Sequence, residues 1–138
     1  MKFRFDSMGL KADDSGFRSD IEENVRSGLV ELLILHLLTE EDMYGYQIRQ
    51  ELARRTDGAF IMKEGSLYGP LYRMSERKLI SSHKEMAGEK RFRNYYHIEK
   101  PGKEYLDYGK EQIKFVFSGV QMLMGLQEDS DGKEDRTE

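Results

Sequence analysis

The stretch GSLYGPLYRMSERKLI, residues 65–80, decides the fold. Leu67, Leu71 and Met74 recur at spacings of four and three, the one-sided period of a helix half-sunk in a core. Tyr68 and Tyr72 are four apart and share another face, with Arg73 beside it. The spacing predicts a helix that starts near Gly65 or Ser66, and Leu79 and Ile80 close the segment. An arginine can make two hydrogen bonds to a guanine in the major groove, and a tyrosine hydroxyl can bond to phosphate. A plain solvated helix face carries the same residue types, so the neighbouring segments have to decide between the two.

Working outward towards the N-terminus, residues 29–38 (LVELLILHLL) are apolar on nearly all sides, as in a helix buried between elements or subunits. Glu40, Glu41 and Asp42 make a polar break. Tyr44, Ile48 and Leu52 then recur every four residues and predict a second helix with one inward face, ended by Thr56, Asp57 and Gly58. Towards the C-terminus, residues 80–86 and 90–98 read as two strands around a turn at Ala87, Gly88 and Glu89. The second strand puts Phe92, Asn94, Tyr96 and Ile98 on one face and Arg91, Arg93, Tyr95 and His97 on the other. Pro101 and Gly102 break it, and a long helix follows over residues 103–126. Its Leu106, Ile113 and Val120 repeat every seven residues, Val116 and Leu123 fill the companion seam, and Phe117 and Met124 widen the stripe. Heptad spacing is what two helices need to pack along each other, and this face is wider than so small a domain can cover, which implies a dimer.

The expected fold is therefore mainly α with a small β-hairpin wing: a winged helix-turn-helix followed by a long C-terminal dimerisation helix. The second helix of such a motif enters the major groove. The expected organisation is a disordered N-terminal arm over 1–20, the winged helix-turn-helix over 21–100, the dimerisation helix over 101–127 and a disordered acidic tail over 128–138.

Composition narrows the function. The net charge of −4 at first speaks against nucleic acid, but its distribution does not. Residues 44–100 hold 12 basic and 7 acidic side chains, whereas residues 1–43 hold 5 and 10, and residues 101–138 hold 5 and 9. The basic charge is thus concentrated on the segment that carries the helix pair and the hairpin. No apolar run reaches the roughly 20 residues of a membrane span, so no membrane partner is expected. The N-terminus lacks a secretion pattern, and cysteine is absent, which is compatible with a reducing cytoplasm. His36, His83 and His97 have no metal-ligand spacing, and His36 reads as an interior or interface residue of its apolar helix. Without a glycine-rich phosphate loop, a nucleophile beside a base or a metal cluster, neither an enzyme nor a cofactor is expected.

Three stretches resemble the PadR family of transcriptional regulators: LVELLILHLLTEEDMYGYQI (29–48), GSLYGPLYRMSERKLI (65–80) and RFRNYYHIEKPGKEYL (91–106). Their order and spacing match, and the short remainder resembles the subgroup that ends in a single dimerisation helix. The resemblance implies a homodimeric repressor on palindromic double-stranded DNA, released by a small planar or aromatic effector. It makes 65–74 the recognition helix and 81–98 the wing, and it makes 29–38 and 103–126 the dimer interface. The sequence departs from the family at one telling place: proline usually follows the tyrosine matching Tyr68, but here Gly69 intervenes before Pro70. The recognition helix is therefore expected to start a residue later or with a looser first turn. Tryptophan is absent, so a ligand sandwiched between paired tryptophans does not carry over.

The candidate DNA contacts are Tyr44, Gln47, Ser66, Tyr68, Gly69, Tyr72, Arg73, Lys90, Arg91 and Arg93. Core packing competes for Tyr44, and helix capping competes for Ser66. The candidate dimer residues are Leu29, Leu33, Leu106, Ile113, Val116, Phe117, Val120 and Leu123. Phe115, Phe117 and Met124 are candidates for an effector pocket, with dimer packing as the alternative. The acidic ends leave open a second function, a winged-helix protein-interaction module without DNA binding.

Overall fold

A computed structural model describes residues 14–126. Among the described residues five helices and three strands follow in the order α1 (Asp14–Arg26), α2 (Val30–Leu38), β1 (Met43–Tyr44), α3 (Gly45–Arg55), α4 (Glu64–Glu76), β2 (Ile80–Met86), β3 (Phe92–Ile98) and α5 (Lys100–Met124). The chain is mainly helical with a small antiparallel sheet of order β1-β3-β2. β2 and β3 pair from Ile80↔Ile98 out to Met86↔Phe92, and Met43 and Tyr44 pair with Tyr96 and Tyr95 on the other edge of β3.

The core is where the apolar periods meet. Ile34 and Leu35 of α2, Ile48 and Leu52 of α3, and Leu67, Leu71 and Met74 of α4 are all buried. Met43, Ile80 and Ile98 seal it from the sheet. Among the described residues no polar or charged residue is buried as a whole, although the Arg49 Nε atom is shielded from solvent. Burying each such aliphatic side chain stabilises the fold by about 1.5–3 kcal/mol.

Two glycines let α5 close on this core. A Cβ on Gly102 would stand 2.2 Å from the Leu79 carbonyl oxygen, and one on Gly109 would stand 2.5 Å from Leu32 Cδ2. Leu106, between them, is only 3% exposed. The first turns of α5 thus belong to the domain core, and the placing of Leu106 on a dimer seam is corrected: with α5 this close, Leu106 is used up within its own chain.

Several other expectations change. The arm was expected to be unstructured to residue 20, but α1 runs through that boundary, with Phe17, Ile21 and Val25 at four-residue spacing. Arg26 anchors α1 by donating from Nε to the Ala59 carbonyl oxygen and by placing its guanidinium 5.9 Å from the Phe60 ring centroid. Residues 1–13 of the expected arm and the expected tail 128–138 lie outside the described residues. The wing has a third strand, because Tyr44 ends a two-residue strand before it caps α3. Lys90 and Arg91 sit in the hairpin turn, closed by Ala87 N–H donating to the Arg91 carbonyl at 2.8 Å, and not in β3. His36 is exposed and lies 3.9 Å from Glu40, because it falls on the outer side of α2.

Candidate nucleic-acid interface

The register of α4 follows from its buried residues. With Leu67, Leu71 and Met74 inward, a rotation of about 100° per residue turns Gly65, Gly69, Tyr72 and Glu76 outward. Tyr72 is 66% and Tyr68 49% exposed. The helix begins at Glu64, earlier than expected, and Pro70 lies inside it without interrupting it. Proline removes the hydrogen bond that residue 70 would have made to the Ser66 carbonyl, yet the helix runs on to Glu76 with the Pro70 ring buried. The expectation of a later or looser start is corrected accordingly. Lys63 is the N-cap, so Ser66 does not cap the helix; it is the third helical residue, and it is exposed.

The flanks of the exposed strip differ. Tyr68 borders the sheet: its hydroxyl donates to Glu64 Oε2 at 3.3 Å, and its phenol stands near that of Tyr96. Burial pushes the Tyr96 phenol above its ordinary pKa, Tyr68 adds to this, and a hydrogen bond with Asn94 opposes it. On the opposite flank Arg73 donates from Nε to Glu31 Oε2 of α2 at 2.9 Å. Ser66, Gly69 and Arg73 line a broad trough whose far wall is α1, whereas Tyr68 and Tyr72 do not.

The wing gathers a second group. Arg93 holds its guanidinium 4.4 Å from the Tyr44 ring centroid, and Tyr44 meets Tyr95 edge-on at 5.3 Å. His83 stacks on Tyr95 at 5.9 Å and lies 2.8 Å from Glu85 Oε2, while His97 lies 2.8 Å from Asp42 Oδ1. Tyr44, Arg93 and Tyr95 thus form one cation–aromatic cluster on the outer face of the sheet. Arg93 is only half exposed, which separates it from Lys90 and Arg91 at the exposed turn. Among the described residues, Lys90 and Arg91 enter no salt bridge. Gln47 is half-buried in the first turn of α3, close in sequence to Tyr44.

Sequence reasoning missed Glu31, Tyr95 and His83. Glu31 sits in an apolar run that shows no partner for it, and the partner lies 42 residues away. Tyr95 and His83 could have been paired only by knowing the register of the hairpin.

The candidate assembly face lies on α5. Leu29, Ile113, Val116 and Phe117 line a cleft of about 350 Å³ between α5 and the turn joining α1 to α2. Leu33 packs against the core. Val116, Phe117, Val120 and Leu123 are 51%, 48%, 40% and 88% exposed. Of the three candidate effector residues Phe117 alone lines this cleft; Phe115 and Met124 are exposed elsewhere along the helix.

The profile of the transcriptional regulator PadR-like family matches residues 34–108, from the core of α2 through the first third of α5. The chain belongs to the PadR-like family. Solved structures support this. A transcriptional regulator from Clostridium thermocellum is 30% identical, with a TM-score of 0.67 over 72% of this chain and 96% of that one. A PadR family transcriptional regulator from Eggerthella lenta is 25% identical, with a TM-score of 0.70 over 86% and 99%. PadR of Bacillus subtilis, solved in complex with operator DNA, shares the fold at 22% identity, with a TM-score of 0.54 over 57% of this chain and 46% of that one. This PadR-like chain matches under half of that DNA-bound protein's length. No helix among the described residues is long and apolar enough to cross a membrane.

Proposed function

We propose that this PadR-like chain is a sequence-specific DNA-binding transcriptional regulator that acts as a homodimeric repressor on a palindromic operator. One observation carries the reading: α4 sinks a wholly apolar face into the core and turns Tyr68, Tyr72 and Arg73 to the surface beside a hairpin tipped by Lys90 and Arg91. In this reading α4 enters the major groove, Arg73 reads a base, and the tyrosine hydroxyls and hairpin cations hold phosphates. The operator complex of the Bacillus subtilis relative supports DNA as the partner. The exposed apolar seam of α5 supports the dimer. Two half-sites on one face of DNA lie about 34 Å apart, so a small rotation between subunits spoils the fit. The apolar cleft of about 350 Å³ beside α5 suits a small planar or aromatic effector that favours the misaligned dimer and releases the repressor.

The test is a titration of the DNA upstream of the protein's own gene, beside random duplex, at two salt concentrations. Tight binding to the upstream fragment, with weaker and salt-sensitive binding to random DNA, is expected. Absence of binding to either at low salt refutes the reading and favours an interaction module.

A further inference from the structure

We infer that Glu31 is a positioning residue for sequence recognition, acting through Arg73. The inference rests on the proposed reading of Arg73 as a base contact. Glu31 lies on α2, outside the helix-turn-helix, with its side chain only 18% exposed, while Arg73 is 60% exposed. The contact engages one edge of the guanidinium, Nε, at 2.9 Å. An arginine has five N–H donors in a rigid fork, so Nη1 and Nη2 keep donors for a ligand. Those two nitrogens can address guanine O6 and N7 end-on. Glu31 therefore occupies the edge that this mode of base reading does not use and leaves the reading edge available.

Two further observations fix the arrangement. A Cβ on Gly69 would come 3.4 Å from Arg73 Nη1, an ordinary contact distance, so the guanidinium lies over residue 69. Arg73 thus lies back along α4 over the turn that precedes it, as helical side chains do. A second guanidinium faces the other oxygen of Glu31: Arg77 Nη1 stands 4.0 Å from Glu31 Oε1, and the Arg77 guanidinium lies 4.9 Å from the Tyr105 ring centroid of α5. A loose arginine loses rotamer freedom when it binds a base; this one has lost part of it beforehand. The carboxylate also offsets the charge of Arg73, which lowers its attraction to phosphates of any sequence and so favours the operator over random DNA.

The two effects give the test a signature that simple destabilisation lacks. The wild-type protein is used to enrich a duplex from a random-sequence pool. Affinities for that duplex, its single-base variants and a scrambled duplex are measured at two salt concentrations for wild type, Glu31→Gln, Arg73→Ala and the double variant, with thermal unfolding alongside. Glu31→Gln is expected to lower the enriched-to-scrambled affinity ratio about five- to tenfold. It is also expected to raise affinity for the scrambled duplex and steepen its salt dependence, because Arg73 is released to phosphates. Arg73→Ala is expected to relax preference at one base position, and the double variant to match Arg73→Ala. Glu31→Asp, which keeps the charge but shortens the reach, is expected to lose preference without the gain on scrambled DNA, and it serves if Glu31→Gln folds poorly. An Arg73→Ala variant with unchanged base preference removes Arg73 as the reader and the inference with it. An Arg73→Ala variant that loses preference while Glu31→Gln and Glu31→Asp keep theirs leaves Arg73 as the reader and overturns the role of Glu31. A further loss from Glu31→Gln in the Arg73→Ala background also overturns it, because Glu31 would then act by another route.

Discussion

Replacing Gly102 with alanine separates helix propensity from packing. Gly102 is the third residue of α5, and alanine is favoured over glycine in a helix by about 1 kcal/mol. Propensity alone therefore favours a gain. The structure demands a loss, because the new Cβ would lie 2.2 Å from the Leu79 carbonyl oxygen and 2.9 Å from Ile98 Cγ1, where ordinary contact begins at 3.4 Å. The Leu79 carbonyl would have to withdraw by roughly 1 Å, which a close-packed interior resists. It cannot do so freely, since it accepts the Glu99 N–H at 2.9 Å and so ties the start of β2 to the end of β3. Overpacking of this kind costs about 1–3 kcal/mol, and a backbone neighbour places it at the upper end. After the propensity gain, a net loss of about 2 kcal/mol is expected. Gly65, the second residue of α4, is the control: nothing lies within 4 Å of its Cβ position, so Gly65→Ala is expected to gain about 0.5 kcal/mol. The assay is urea unfolding followed by far-ultraviolet circular dichroism, at one protein concentration so that any assembly contributes equally. If Gly102→Ala proves as stable as Gly65→Ala, the close approach of α5 to the Leu79 backbone is wrong.

Three further outcomes follow from particular contacts. The Arg55 hydrogen bond holds the Glu40 carboxyl below its ordinary range, and Arg54 and then Arg55 do the same for Glu51. A lowered folded pKa adds stability above the unfolded carboxylate value and loses it as pH falls through the folded one. Arg55→Ala is therefore expected to lower the melting temperature at pH 7 and to make little difference near pH 2; an equal deficit at both would refute the ion-pair account. Lys78 has φ of 63° in the turn that ends α4, where its N–H bonds to Ser75 and that of Leu79 to Met74. Lys78→Gly is expected to stabilise by about 0.5–1 kcal/mol in chemical denaturation, and a loss would count against this left-handed cap. Leu123 is 88% exposed, so Leu123→Asp is expected to keep the fold by circular dichroism but sediment as a monomer; an unchanged dimer would place the interface off this seam.

Most of the helical plan was legible because burial imposes a period. Leu67, Leu71 and Met74 could face the core together only on a helix of this phase, and the same holds for Ile48 and Leu52. Two elements escaped for opposite reasons. α1 holds its apolar residues four apart, but they are few and set among charges, so the segment reads as polar chain. β1 is two residues long, too short to show alternation, and exists only because β3 offers an edge to pair with.

By itself the amino-acid sequence determined which faces of α3 and α4 turn inward, the hairpin from Ile80 to Ile98 and the concentration of basic charge on the middle of the chain. These are local properties, carried by side chains within a few turns of one another. Tertiary structure alone decided that Leu106 belongs to the core, because Gly102 and Gly109 admit α5 to within contact of Leu79 and Leu32. It also decided that Arg93 lies over Tyr44 and that Arg73 is held by Glu31. Those partners are 49 and 42 residues apart, and no periodicity extends so far: the folded backbone, not the spacing of residue types, brings such charges into contact.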